Sequence, residues 1–291
     1  MKSFLFTALA GMLICLPAIL AASPEVEDIP NVEVGAIDGY MVHTDIAMPK
    51  IRPAKPMPAV MWIHGGAWNA GSYKDNQARV LAERGYFTMS VDYRLSGIAV
   101  WPAQIIDCKM AIRWLRANAA RYDVDPNRIG VWGQSAGGHL ACCVGMMDES
   151  AGFDKTGGNP GVSSRVQAVM DYSGPTDLAA KSAHYDKALA NLFGAANVGN
   201  EELLRGASPL TWVRPGLPPF MIVHGDCDPL VPYSDSVRLK AALDRVKVPA
   251  ELLTIHGGGH IYEAMSDGPV PTPDPKVFRE AVFAFFDRTL K

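Results

Sequence analysis

Ser135 lies in the run Ile129-Gly130-Val131-Trp132-Gly133-Gln134-Ser135-Ala136-Gly137-Gly138, with a glycine two residues to either side. An apolar, strand-like stretch precedes it and a helix-like stretch follows. A serine on so tight a strand-to-helix turn is forced into strained backbone. It stands at the amino end of the helix, where developing negative charge is favoured. Gly133 and Gly137 are the residues that would collide across such a turn if they carried side chains. A Gly-x-Ser-x-Gly match alone arises by chance, so its partners matter. A serine hydroxyl needs a base to take its proton and a third group to orient that base. Asp228, in His224-Gly225-Asp226-Cys227-Asp228-Pro229, and His260, in His256-Gly257-Gly258-Gly259-His260, supply those types. Each follows an apolar run. The order serine, acid, histidine, each on a loop after its own strand, suits nucleophilic acyl transfer.

Rivals stand close to both partners. Asp226 is favoured less than Asp228 because it is better placed to tie down its own turn. His256 is favoured less than His260 because it falls at a strand end, whereas the glycines let the loop carry His260 back toward Ser135. His256 and His260 are four apart, the spacing of a metal pair on a helix, but three intervening glycines argue against a helix there. No metal is expected. His43, His139, His184 and His224 are expected to be structural or at the surface.

Acyl transfer places negative charge on the former carbonyl oxygen, and donors must be aimed at it beforehand. His64-Gly65-Gly66-Ala67-Trp68 closes another apolar run. The backbone N–H groups of Gly66, Ala67 and Ala136 are the candidate donors, with Gly65 shaping the turn and His64 a structural hydrogen-bonder rather than a base. Trp68, Tyr93, Trp101 and Trp212 are candidate pocket residues. Trp114 and Trp132 are expected in the core.

The elements that must carry these residues alternate along the chain. Apolar runs at 59–63, Thr88–Tyr93, Ile129–Trp132, Val166–Tyr172, Phe220–His224 and Glu251–Ile255 read as strands, the central ones buried on both faces. Val32–Ile37 and Asp45–Met48 read as edge strands. Helices are expected at Asn76–Gly85, Ala103–Ala120, Ala136–Met147, Val231–Val246 and Val277–Leu290. This alternation implies an α/β chain with a mostly parallel central sheet and helices on both faces. Gly174–Pro219 holds only short helical pieces (Asp186–Phe193, Glu201–Gly206) and is too long for a plain loop. It is expected to be a small cap insertion of about 174–219.

The chain has 291 residues, 48% hydrophobic and 20% charged, with 27 basic against 30 acidic residues for a net charge of −3. That excludes a disordered or fibrous chain and gives no electrostatic reason for a nucleic-acid partner. Residues 1–22 have the shape of a signal peptide: Lys2, an apolar run from Phe4 to Leu16, Pro17, then small residues. A retained anchor is the alternative, since the 19 residues from Phe4 to Ala22 are just long enough to span a membrane. The expected organisation is a signal at 1–22 and one catalytic domain at 23–291. The product would be secreted or periplasmic and have no stable membrane association. Cys108, Cys142, Cys143 and Cys227 read as buried small residues; one disulfide, from Cys108 to Cys142 or Cys143, is the alternative.

Taken together, HGGAWNAGS, VDYRL, the long run from Trp101 through Ala141, ASPLTWV and PPFMIVHGDCDPLVPY resemble the α/β-hydrolase superfamily. Within it the chain is most similar to exported esterases of the feruloyl and acetyl-xylan esterase-like family. The resemblance spans roughly Val60 to Tyr262 and places Ser135, Asp228 and His260 on that family's triad. It implies a cofactor-free serine carboxylesterase acting on acetyl or feruloyl esters, with a small-molecule or polysaccharide ester as its partner. The related hormone-sensitive-lipase-like group usually reads HGGG, and here Ala67 and Trp68 follow the two glycines. A general short-chain esterase or lipase, a prolyl-oligopeptidase-like peptidase, a formamidase and a non-catalytic binding module remain as rivals. Oligomeric state is not set by the sequence.

Overall fold

The computed structural model describes residues 25–180, 186–264 and 268–291; the leader expected at 1–22 and His184 lie outside them. Among the described residues eight strands form one sheet: β1 (Val26–Ile37), β2 (Tyr40–Pro49), β3 (Met57–Ile63), β4 (Phe87–Val91), β5 (Val124–Gln134), β6 (Ala168–Tyr172), β7 (Phe220–Gly225) and β8 (Ala250–Ile255). Their order is β1-β2-β4-β3-β5-β6-β7-β8. β1 and β2 pair antiparallel, as do β2 and β4, and every other neighbour is parallel. All residues of β3, β4, β6 and β7 are buried, the signature of strands covered on both faces.

Among the described residues there are six α-helices: α1 (Ala103–Ala117), α2 (Ala136–Met146), α3 (Asp186–Phe193), α4 (Glu201–Ala207), α5 (Tyr233–Arg245) and α6 (Pro275–Leu290). Side chains alternate across each strand, so Met61, Ile63, Val131 and Ile222 pack with α1, α2 and α5. Val60, Trp62, Trp132 and Met221 pack with α6 and the segment at 77–84. The parallel strands all point their carboxyl ends toward one edge, where the loops after β3, β5, β7 and β8 gather.

Three elements differ from the reading of the sequence. The helix expected at Asn76–Gly85 is a 3₁₀ segment, Gln77–Arg84, closed by Gly85 in the left-handed region (φ 88°). It buries only Ala78, Leu81 and Ala82, a short stripe that a tighter helix accommodates. α1 stops at Ala117, and the chain continues through a 3₁₀ turn, Ala119–Tyr122. The first two strands run well beyond the stretches legible in the sequence. β1 buries only Val34 and Ile37, and its register shifts at Ile29/Val32 and Glu33/Gly35, which breaks its period-two pattern. Among the described residues no helix is long and apolar enough to cross a membrane.

The segment between β6 and β7 contains no described strand and carries α3 and α4. It is docked rather than loose. The Trp101 N–H donates to Leu192 O at 2.7 Å. Leu192, Phe193 and Ala207 are buried in the main core.

Candidate active site

β5 ends at Gln134 and α2 begins at Ala136, so Ser135 alone makes the turn, at φ 56° and ψ −123°. That left-handed φ is strained for any residue but glycine. Crowding enforces it. A Cβ on Gly133 would come within 2.0 Å of Gly137 O, and one on Gly137 within 2.0 Å of Ile63 O. The start of α2 is therefore pressed against both β5 and the end of β3. Ser135 N–H donates to Tyr172 O (2.7 Å), which fixes the turn to β6.

The loop after β3 is equally constrained. Gly66 (φ 106°), Ala67 (φ 50°) and Trp68 (φ 58°) all have positive φ. Gly66 O accepts the N–H groups of Asn69 (3.0 Å) and Ala70 (2.9 Å), and Trp68 O accepts that of Ser96 (2.8 Å). A Cβ on Gly65 would lie 3.2 Å from Ser135 Cβ, so this loop runs directly beside the serine. The three expected donor residues thus lie on the two segments that meet at Ser135. His64 is buried, stacks on Tyr93 at 4.3 Å and contacts Gly65 O through Nδ1 at 2.8 Å. Burial lowers its basicity.

Asp228 and His260 arrive from the loops after β7 and β8. Ser135 Oγ–H donates to His260 Nε2 (2.8 Å), and His260 Nδ1–H donates to Asp228 Oδ2 (2.7 Å). The three residues form one hydrogen-bonded chain. Asp228 Oδ1 accepts the N–H groups of Leu230 (2.7 Å) and Val231 (3.0 Å). Burial by itself would raise this carboxyl. The hydrogen bonds from His224, His260 and Val231 outweigh it and hold the group well below the usual carboxylate range. The carboxylate therefore stays ionised beside the imidazole.

The rivals sit elsewhere. Asp226 Oδ2 bonds His256 Nδ1 at 2.9 Å, and Asp226 Oδ1 accepts Gly257 N–H at 2.7 Å. This outer pair ties the β7 and β8 loops together, and the His256 side chain is 71% exposed.

The four aromatic residues divide. Trp68 and Trp101 are buried around His139 in the first turn of α2, with ring centroids 5.2 and 5.7 Å from it. Trp68 Nε1–H donates to His139 Nδ1 (3.2 Å), and His139 Nε2–H donates to Ala207 O (2.9 Å). Burial brings His139 down to about 4, so it stays neutral and bridges the loop after β3 to the end of α4. Tyr93 is fully buried beneath that loop, its hydroxyl donating to His64 O (3.1 Å); it supports the loop from below. Trp212 is not brought to the serine. Arg214 Nη1 donates to both Trp212 O and Met146 O, which puts Trp212 at the far end of α2.

Two residues escaped the reading of the sequence. Glu263 accepts the N–H groups of His260 (2.8 Å) and Ile261 (2.5 Å), clamping the turn that presents His260. His224, expected to be structural, reaches Asp228. Its position four residues earlier was the available signal. Cys108, Cys142 and Cys143 are buried and free, and Cys227 is exposed and free, so no disulfide forms among them. A cavity of about 920 Å³ opens at the opposite edge of the sheet, near Lys109, Arg116, Asp148 and Arg214, and no residue of the Ser135–His260–Asp228 chain lines it.

A parallel sheet with an antiparallel edge, a strained serine between β5 and α2, and acid and histidine on the last two strand loops define the α/β-hydrolase class. Residues 44–243, more than half of the chain, match the BD-FAE family, and the chain belongs to that family. It is 34% identical to Esterase LipQ of Mycobacterium tuberculosis over 203 residues, 67% of this chain and 48% of that protein. It is 32% identical to Esterase LipC of the same organism over 232 residues, 76% of this chain and 57% of that one. The chain thus spans about half the length of these curated relatives. A solved structure described as a truncated carbohydrate esterase from gut microbiota superposes with a TM-score of 0.75 at 29% identity, covering 91% of this chain and 97% of that one. The butyrate-bound esterase Est2 of Thermogutta terrifontis gives 0.71 at 25% identity, covering 91% and 94%.

Proposed function

We propose that this protein is a serine carboxylesterase that hydrolyses acyl esters carried on carbohydrate, acetyl or feruloyl groups being the favoured acyl class. The observation that carries the catalytic part is the continuous Ser135–His260–Asp228 chain beside a backbone loop of strained φ. His260 takes the Ser135 proton as Oγ attacks the ester carbonyl. The N–H groups of Gly66, Ala67 and Ala136 hold the oxyanion. His260 then gives its proton to the leaving alcohol. A water, deprotonated by His260, attacks the acyl-serine; the acid leaves and Ser135 regains its proton. Asp228 fixes the imidazole tautomer throughout. No cofactor enters these steps.

The carbohydrate part is supported by the likeness to a carbohydrate esterase and to a bifunctional GH43-CE protein of Bacteroides eggerthii. A general short-chain carboxylesterase is the second reading, favoured by the likeness to an esterase solved with butyrate. A panel of p-nitrophenyl acetate, butyrate and octanoate, acetylated xylan, methyl ferulate and a peptide amide separates these, with Ser135→Ala as control. Release of acetate or ferulate from the carbohydrate-type substrates at higher kcat/KM than from p-nitrophenyl butyrate supports the first reading. Activity confined to the p-nitrophenyl esters supports the second. Cleavage of the amide overturns both. We also propose export with cleavage near Ser23; an exported protein whose amino terminus is Met1 overturns that.

A further inference from the structure

Asp228 Oδ2 accepts two imidazoles. His260 Nδ1 lies 2.7 Å away and His224 Nε2 3.0 Å away. His224 is fully buried at the end of β7, with its ring edge-on to Tyr233 at 5.8 Å. Its tautomer follows from its neighbours. Nε2 faces two acceptors, the Asp228 carboxylate and Val231 O (3.0 Å), and so carries the hydrogen. Nδ1 lies 2.7 Å from the hydroxyl of Ser236, also fully buried on α5, which donates to it. Ser236 thereby locks the ring with its N–H on the carboxylate.

We infer that His224 is a positioning residue for the esterase reaction, a second histidine that shares the triad carboxylate oxygen with His260 and sets both its direction and its charge. The inference rests on the esterase reading above. Two effects follow from one hydrogen bond. The donor pins Oδ2 in the plane that His260 Nδ1–H needs. It also withdraws negative charge from the oxygen that stabilises the imidazolium of His260 in the transition state. Without the donor, the carboxylate holds the His260 proton more strongly, and the acid limb of the pH profile moves upward. Other titratable groups around this pair are Glu263 on the His260 turn, Asp171 and Tyr172 on β6, and Tyr233 on α5. All are left in place by the substitutions below.

The test compares wild type with His224→Phe, His224→Met and His224→Gln on p-nitrophenyl acetate. Glutamine returns an N–H near the place of Nε2, and phenylalanine and methionine do not. Expected for the donor-less variants are a tenfold or larger fall in kcat, a KM within about twofold, and an acid limb several tenths of a pH unit higher. His224→Gln recovers most of the kcat and the wild-type limb. A folded donor-less variant with an unmoved limb, or a folded glutamine variant as impaired as phenylalanine, overturns the inference. Circular dichroism establishes folding.

A measurement without substitution decides the case in which no variant folds. Two-dimensional ¹H–¹⁵N spectra of the wild-type histidine rings are expected to show His224 as an Nε2–H tautomer, separate from that of His139, whose proton shift moves when the state of the His260 ring is changed by pH. An Nδ1–H tautomer at His224 itself, or a His224 Nε2–H resonance indifferent to that change, overturns the inference. A wild-type protein that hydrolyses no ester refutes the esterase reading itself. An active wild type with indifferent His224 variants refutes only this extension.

Discussion

The two halves of the site are held in different ways. On the β3–β5 side the backbone does the work. Ser135, Gly66, Ala67 and Trp68 all sit at positive φ, and neighbouring chain segments approach until no Cβ fits at Gly133 or Gly137. On the β7–β8 side the work falls to side chains. Asp228 is gripped by four donors and His260 by the Glu263 carboxylate on its turn. The difference fits the chemistry proposed for the site. A nucleophile and an oxyanion hole must be fixed to a fraction of an ångström, which close-packed backbone achieves. A base that accepts and returns a proton needs its charge and tautomer controlled, which hydrogen bonds achieve.

Substitutions on the two sides should therefore fail differently. The largest effect is Ser135→Ala, expected to lower kcat by roughly 10⁵-fold or more with the melting temperature unchanged, read by turnover and calorimetry together. Asp228→Asn is expected to cost about 10⁴-fold in kcat, through loss of charge and the wrong tautomer, and to leave a folded protein. Gly137→Ala tests the other side. Its Cβ meets backbone at Ile63 and His64, so the outcome is a drop in stability of several kcal/mol or no soluble protein. A stable, active Gly137→Ala protein breaks the contrast. Glu263→Gln, which keeps an acceptor but loses the charge, is expected to lower kcat/KM about tenfold, because small misplacements of a base are costly.

The smallest effect on activity lies at the seam between the halves. Asp171, on β6 between β5 and β7, is fully buried, and burial pushes its carboxyl up to about 7. The folded protein thus holds a proton there that the unfolded chain has already lost. This contribution to stability is present at low pH and falls as pH rises from about 4 through about 7. Asp171→Asn is expected to match wild type in unfolding free energy, read from urea titrations, near pH 4 and to exceed it at pH 8, by up to about 4 kcal/mol. A pH-independent difference counts against a buried neutral carboxyl.

The backbone side was the more legible of the two in the sequence. Glycines at fixed offsets from Ser135 and after β3 write close approach directly into the residue order. Asp228 and His260 were found from their order along the chain and their places after apolar runs. His224 and Glu263 were not, because a hydrogen bond to a neighbour's carboxylate or N–H leaves no periodic trace. The Gln77–Arg84 segment was misread as α-helix, since apolar spacing over two turns does not separate it from a 3₁₀ segment. Trp212 was placed near the serine by residue type alone, and α2 separates them.

His139 links the two ends of one mechanical path. Its ring takes a hydrogen bond from the indole beside the oxyanion loop and gives one to Ala207 at the end of α4. Moving Ala207 away would leave the buried His139 N–H without an acceptor, and that ring is the one to which Trp68 donates. A displacement of α4 at Ala207 would therefore be felt at the loop that carries Gly66 and Ala67, through a single buried ring.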